Sequence, residues 1–187
     1  AAGLYTACMT SAPQPLQDPA QLLALGITPD EVRANLNAAL NGLETHLRTR
    51  QTDWTTTQPG REWSPAQEAE HVLLINESMT GVMGLLLSDK PLREMPRTPG
   101  VLKDGKRQAP PFAQPTAEGL AYADLDTRWA EGRARLSAVA AQVSETPDRT
   151  FWHPFFGDLD ALNWLRVVAG HAASHHALLK KSAPQHG

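Results

Sequence analysis

Apolar residues recur along this chain at steps of three and four, and nowhere does apolar–polar alternation persist as a strand requires. Thr28-Pro29-Asp30-Glu31 has the grammar of a capping box with proline at the first helical position. Val32, Leu36, Ala39, Leu43 and His46 then mark one face of a first helix ending near Arg50. Trp54 to Trp63 reads as a loop, and Ser64-Pro65-Ala66-Gln67 opens a second helix by the same grammar. Its face begins at His71 or Val72 and continues through Ile75, Met79, Val82 and Leu86, stopping near Asp89.

From Lys90 to Pro115 the periodicity is absent, and Pro91, Pro96, Pro99, Pro110, Pro111 and Pro115 forbid a continuous helix. Thr116 is expected to start a third helix with the seam Leu125, Trp129, Gly132, Leu136, Val139, Val143, ended by Thr146-Pro147-Asp148. Phe151 to Asp158 is expected to be an aromatic loop. Asp158 or Asp160 caps a fourth helix with the seam Trp164, Val168, His171, His175, Leu178. A short helical turn is expected around Asp18 to Leu25. The fold class is therefore all-α, a four-helix bundle spanning 18–181 between tails at 1–17 and 182–187.

Composition narrows the function classes. With 187 residues, 41% hydrophobic and 20% charged, the chain is long enough for one sizeable core. A formal net charge of −3 gives no support for nucleic-acid binding. The only cysteine, Cys8, precludes a disulfide within this chain or a cysteine-based zinc cluster. No apolar run reaches the roughly 20 residues of a membrane helix, and residues 1–17 lack the pattern of a secretory leader. The expected compartment is the cytoplasm. The expected partners are a small-molecule substrate and, as an open option, a second copy of the chain in a homodimer.

Seven histidines carry the candidate chemistry. His171 and His175 stand four apart on the seam of helix four, about 6 Å apart in rise, with both imidazoles on one face. His71 lies on or beside the seam of helix two. Spacing alone leaves two readings open, a metal site or hydrogen-bonded core histidines. Ala172 stands where the glutamate of a zincin helix would be, which argues against a metalloprotease. Height sharpens the case: His71 lies about 9 Å below the start of helix two, and His175 about 9 Å before the end of helix four. The two levels coincide only if these helices are antiparallel. The Lys90–Pro115 linker is long enough to run the length of the bundle. Both observations ask for up-down-down-up topology, with a long crossover between helices two and three.

Trp63-Ser64-Pro65 with His71 six residues beyond resembles the start of helix two in the DinB/YfiT-like family of metalloenzymes. His153-Pro154-Phe155-Phe156-Gly157-Asp158-Leu159, then Trp164-Leu165, His171 and His175, resembles that family's C-terminal signature. The resemblance runs from about Thr28 to Lys181. It implies a four-helix bundle and places the three metal ligands at His71, His171 and His175. Many relatives have a polar residue, often Gln, three positions after the last histidine, where this chain has Leu178. Three imidazoles suit zinc, nickel, copper or iron, and zinc or nickel is the expected pair. Relatives include S-transferases that use a low-molecular-weight thiol and a thiol-dependent isomerase. The resemblance therefore implies a metal-dependent enzyme activating such a thiol, possession of a thiol cofactor included. Metal-assisted hydrolysis and a non-enzymatic metal-binding role in stress are the alternatives.

His46 is expected at the bundle rim at the metal's level, and Trp54, Arg61, Trp63 and Phe112 as candidate walls of a pocket. Arg61 is the candidate partner of a substrate carboxylate. Glu68 is expected as a first-turn acid serving the helix dipole, and Glu70 on a solvated face. His153 is expected to pack at the far end and His176 to face the surface or an interface, with His186 in the tail. Lys90, Arg93, Arg97, Lys103, Lys106 and Arg107 crowd the crossover and read as a solvated loop.

Overall fold

The computed structural model describes residues 13–184. Cys8 and His186 lie outside them. Four long helices form the body: α1 (Pro29–Arg48), α2 (Pro65–Leu86), α3 (Tyr122–Ala140) and α4 (Ala161–Lys181). Both capping boxes form, Thr28 with Glu31 and Ser64 with Gln67, each serine or threonine oxygen accepting the N3 amide while the N3 side chain accepts the cap amide. Asp160 caps α4 by accepting from the Asn163 amide at 2.9 Å. A 3-10 turn, Pro19–Leu25, precedes the bundle and is capped by Asp18.

Contacts between helix ends establish the topology. Arg166 at the start of α4 donates to the carbonyls of Gly26 and Ile27 before α1, so α1 and α4 are parallel. Arg33 near the start of α1 reaches the carbonyls of Ala140 and Val143 at the end of α3, so those two oppose. Gln67 in the first turn of α2 donates to Thr116 and Ala117 ahead of α3. Arg149 beyond α3 donates to Leu85 and Leu86 at the end of α2, which makes α2 and α3 parallel. The bundle is up-down-down-up, and α2 runs against α4. Leu36, Leu40, Leu43, Val72, Met83, Leu136, Leu162, Leu165 and Val168 form its dry interior. Among the described residues no helix is long and apolar enough to cross a membrane.

Four expectations are corrected. Thr116 does not start α3; Gly119, at φ +74°, interrupts the chain, and the helix begins at Tyr122 with no side-chain cap. The glycine is required there, since an added Cβ would lie 2.5 Å from the Ala66 methyl. Helix α3 ends at Ala140, leaving Val143 in the following turn, yet still buried. Strands exist, as two short antiparallel hairpins: β1 (Leu102–Lys103) with β2 (Lys106–Arg107), and β3 (Phe151–His153) with β4 (Gly157–Leu159). The expected aromatic loop is therefore a hairpin. Asp104-Gly105, both at positive φ, forms the turn of the first.

The crossover between α2 and α3 is not a solvated loop throughout. The Gly100 amide donates to the Pro154 carbonyl, Arg97 pairs with Asp158, and Trp152 Nε1 donates to Thr98. Of the segment before the bundle, Gln17 donates its amide to Phe155 and accepts from Arg107 Nε at 2.8 Å.

Candidate metal centre

The antiparallel α2 and α4 bring His71, in the second turn of α2, against His171 and His175, in the last half of α4. One ligand nitrogen from each lies within 4.8 Å of the others. The Nε2 atoms of His71 and His171 are 3.1 Å apart. Ring centroids stand 5.0 Å apart for His71 with either partner and 4.3 Å apart for His171 with His175.

Two of the three rings have their tautomer set by the surroundings. His71 Nδ1–H donates to the Ala113 carbonyl at 2.7 Å, which leaves the Nε2 lone pair facing the cluster. His175 Nδ1–H donates to Glu68 Oε1 at 2.7 Å, so its neutral form likewise presents Nε2. His171 Nδ1 is buried without a partner. A divalent cation is the chemical species that three converging imidazole lone pairs fit. The donor set is neutral nitrogen, and its acceptors behind His71 and His175 are the carbonyl and carboxylate that commonly orient ligating histidines.

Burial reinforces the neutral state. Desolvation is the main cause that pushes His71 down to about 4, and it holds His171 well below the ordinary imidazole range, with His175 and His71 adding repulsion. His71 is buried, whereas His171 and His175 are half-buried.

Glu68 proves to be more than a first-turn acid. It is 2% exposed and accepts from both His175 and Arg61, the latter at 3.1 Å. Its place one turn before His71 was visible in the chain; that it would meet α4 depends on the antiparallel packing. Glu70 is buried too, not solvated, and accepts from the Thr116 amide and hydroxyl. That bond occupies the threonine expected to cap α3.

The remaining candidates separate. The Trp63 ring lies 4.9 Å from the His71 ring. Arg61 sits behind the cluster, engaged with Glu68 rather than facing outward alone. Phe112 is 61% exposed and precedes the Ala113 carbonyl that holds His71. Trp54 is 7% exposed and donates to the Leu120 carbonyl while standing edge-on to Tyr122, which is packing of the loop onto the start of α3. His46 is not part of the three-histidine group; its ring faces His176 at 5.8 Å, and its Nε2 is buried without a partner. His176 is half-buried and packs over Gly42 of α1.

His153 is buried in the second hairpin, its Nδ1 accepting from the amides of Phe155 and Phe156 at 3.1 and 3.2 Å. Burial, helped by the Arg107 charge, pushes it down to about 3. Its unfolded imidazole titrates near about 6.5, so the unfolded chain binds a proton that the folded one refuses below that pH. His71 acts in the same direction. Stability of the metal-free protein is therefore expected to fall as pH drops from about 6.5 towards about 3, while His153→Gln should flatten that decline. Urea unfolding at about pH 7 and about pH 5 reads the difference; equal slopes for the two proteins would contradict it.

Comparison with known proteins agrees with this architecture. The crystal structure of TT2238, a four-helix bundle protein, has 30% identity and a TM-score of 0.60, covering 83% of this chain and 100% of that one. The uncharacterized protein YuaE of Bacillus subtilis (strain 168) is 23% identical over 124 residues, 64% of this chain and 76% of that protein. The DinB superfamily pattern matches residues 30–179, nearly the whole bundle with all three histidines inside it, and the chain belongs to the DinB superfamily.

Proposed function

We propose that this protein is a metal-dependent enzyme in which His71, His171 and His175 hold one divalent cation, zinc or nickel, and a low-molecular-weight thiol is activated for S-transfer. The observation that carries the reading is the convergence of three imidazole nitrogens within 4.8 Å, two of them held by Nδ1–H bonds to fixed acceptors. A cation bound by three imidazoles with an open position favours the deprotonated form of a water or thiol placed there.

The protein's own residues supply orientation. Ala113 and Glu68 fix the rings of His71 and His175, so little rearrangement is needed when a ligand binds. Arg61 donates to Glu68 Oε1 at 3.1 Å, the same oxygen that accepts from His175, and so holds that carboxylate in place. Trp63 stands beside the buried His71, and the half-buried His171 and His175 are the side proposed for the approach of a small molecule. The proposed setting is the cytoplasm, where small thiols are kept reduced.

The test is turnover of metal-loaded protein with an electrophilic aryl halide, in the presence and absence of a small thiol. Thiol consumption above the uncatalysed rate, abolished by a chelator, is expected. Turnover of an ester with no thiol required would replace S-transfer with hydrolysis. No metal-dependent turnover of either kind would overturn the enzymatic reading.

A further inference from the structure

His46 and His176 face each other outside the three-histidine cluster, one on α1 and one on α4. Their ring centroids are 5.8 Å apart, and their planes are tilted by 51°. The sequence arranges this meeting. Helices α1 and α4 run parallel, and α4 lays the His176 ring on α1 at Gly42, one turn before His46. A Cβ on Gly42 would lie 2.7 Å from His176 Cε1 and 2.9 Å from its Nδ1, so the glycine is what lets the ring rest there. Both rings are half-buried.

The nitrogens of this pair are not accounted for by the protein. His46 Nε2 is buried and has no hydrogen-bond partner. A buried polar atom in that state points to a species beyond the protein's own groups. Nδ1 of His71 and of His175 each has a fixed oxygen acceptor, and His153 Nδ1 takes two amides. His46 Nε2 has nothing comparable, and the group facing its ring is a second imidazole. The separation decides what joins them. A direct N–H···N bond of about 3 Å would hold the centroids no more than about 5.3 Å apart. Two imidazoles on one cation, with Zn–N bonds of about 2.0–2.1 Å, hold theirs about 5–6.5 Å apart, according to the angle at the metal. The observed 5.8 Å is too wide for the first and falls within the second. Neighbouring charge leaves room for a cation: Arg50, one turn past His46, is met by Asp53 at 2.6 Å, and Lys180, one turn past His176, is exposed.

We infer that His46 and His176 form a second cation site, in which one borderline divalent ion, Zn2+ or its like, is held by the two imidazoles with water completing its shell. The site draws no ligand from His71, His171 or His175 and stands independently of the function proposed for them. With two protein ligands against three it fills after the cluster. A cation there clamps α1 to α4 at the residue next to His175.

The experiment uses the full chain, 15N-labelled, loaded with one equivalent of Zn2+ and then titrated with a second while the imidazole nitrogens are followed by long-range 1H–15N NMR. The second equivalent is expected to shift one nitrogen of His46 and one of His176 together, and to raise Tm. His46→Gln should abolish the His176 response and the rise in Tm, and should weaken the second equivalent by more than about tenfold, since loss of a group that merely orients a ligand already costs about 10–100-fold. His176→Gln should do the same to His46. Gly42→Ala, which keeps both imidazoles but displaces the His176 ring, should weaken the second equivalent and leave the first unchanged. His46 and His176 signals unmoved at saturating Zn2+, or a second equivalent held as tightly by His46→Gln as by wild type, would overturn the inference and leave the three-histidine site standing. A first equivalent that moves His46 and His176 but none of His71, His171 and His175 would support this pair and overturn the three-histidine reading.

Discussion

Replacing His171 with Ala is expected to lower affinity for a divalent cation by more than about 100-fold, with the bundle still folded. Loss of a group that merely orients a ligand costs about 10–100-fold, so loss of a ligand itself exceeds that range. Its position supports a large effect: His171 Nε2 lies 3.1 Å from His71 Nε2, and its ring is the nearest neighbour of His175. His71→Ala and His175→Ala should behave alike. Glu68→Gln forms the graded control, because it keeps the shape and an acceptor for His175 but removes the buried charge; a loss of about 10–100-fold is expected. His153→Ala should leave metal content at the wild-type level, since its Nδ1 is engaged by the Phe155 and Phe156 amides. Competition titration against a chelating dye ranks all five proteins. An unchanged affinity in any single histidine variant of the triad would be incompatible with three-imidazole ligation.

The second large effect concerns the frame that holds the site. Arg50, 2% exposed, meets Asp53 through Nε at 2.9 Å and NH2 at 2.6 Å, and donates to the Leu179 carbonyl at 2.8 Å. Those bonds tie the end of α1 to the end of α4, one turn beyond His175, where the last carbonyls of the helix have no partner within it. Gln58 adds a donor to Asp53 at 2.9 Å. Hydrogen bonds from Arg50 hold the Asp53 carboxyl below the usual carboxylate range. Asp53→Ala removes the counter-charge and leaves the buried guanidinium with carbonyls alone. Breaking such a pair costs about 3 kcal/mol, or roughly 6–12 °C in Tm for a chain of this size. Asp53→Asn should cost less. The sign in pH follows from the lowered pKa: this contribution is present above the unfolded value of about 3.9 and is lost as pH falls through the folded value. A change in Tm below about 2 °C for Asp53→Ala would show that the latch contributes little.

Much of this was legible along the chain, and the reasons are specific. Thr28 and Ser64 announced two helices because a capping box is a local device, complete within four residues. The topology was legible because His71 and the His171–His175 pair are buried chemistry at fixed heights, and a long crossover alone lets those heights meet. What was hidden depends on packing between distant segments. Thr116 has the form of a cap, but Glu70 of α2 takes its amide and hydroxyl. Strands of two and three residues are too short for alternation to appear, although Asp104-Gly105 was a local hairpin signal within reach. Glu68 looked like a plain first-turn acid and Glu70 looked solvated because each is polar near the start of a helix. Their partners, His175 and Thr116, stand 107 and 46 residues away. His46 shares its seam with the core, yet α1 meets α4 one residue past His175, so it faces His176.

The central claim is that one divalent cation is held by His71, His171 and His175. Metal-edge X-ray absorption on the full chain loaded with one equivalent of Zn2+ tests it most directly. The predicted spectrum has three imidazole nitrogens at about 2.0–2.1 Å and one further light-atom ligand. A first shell with fewer than three imidazoles, or one unchanged in His171→Ala, would contradict it.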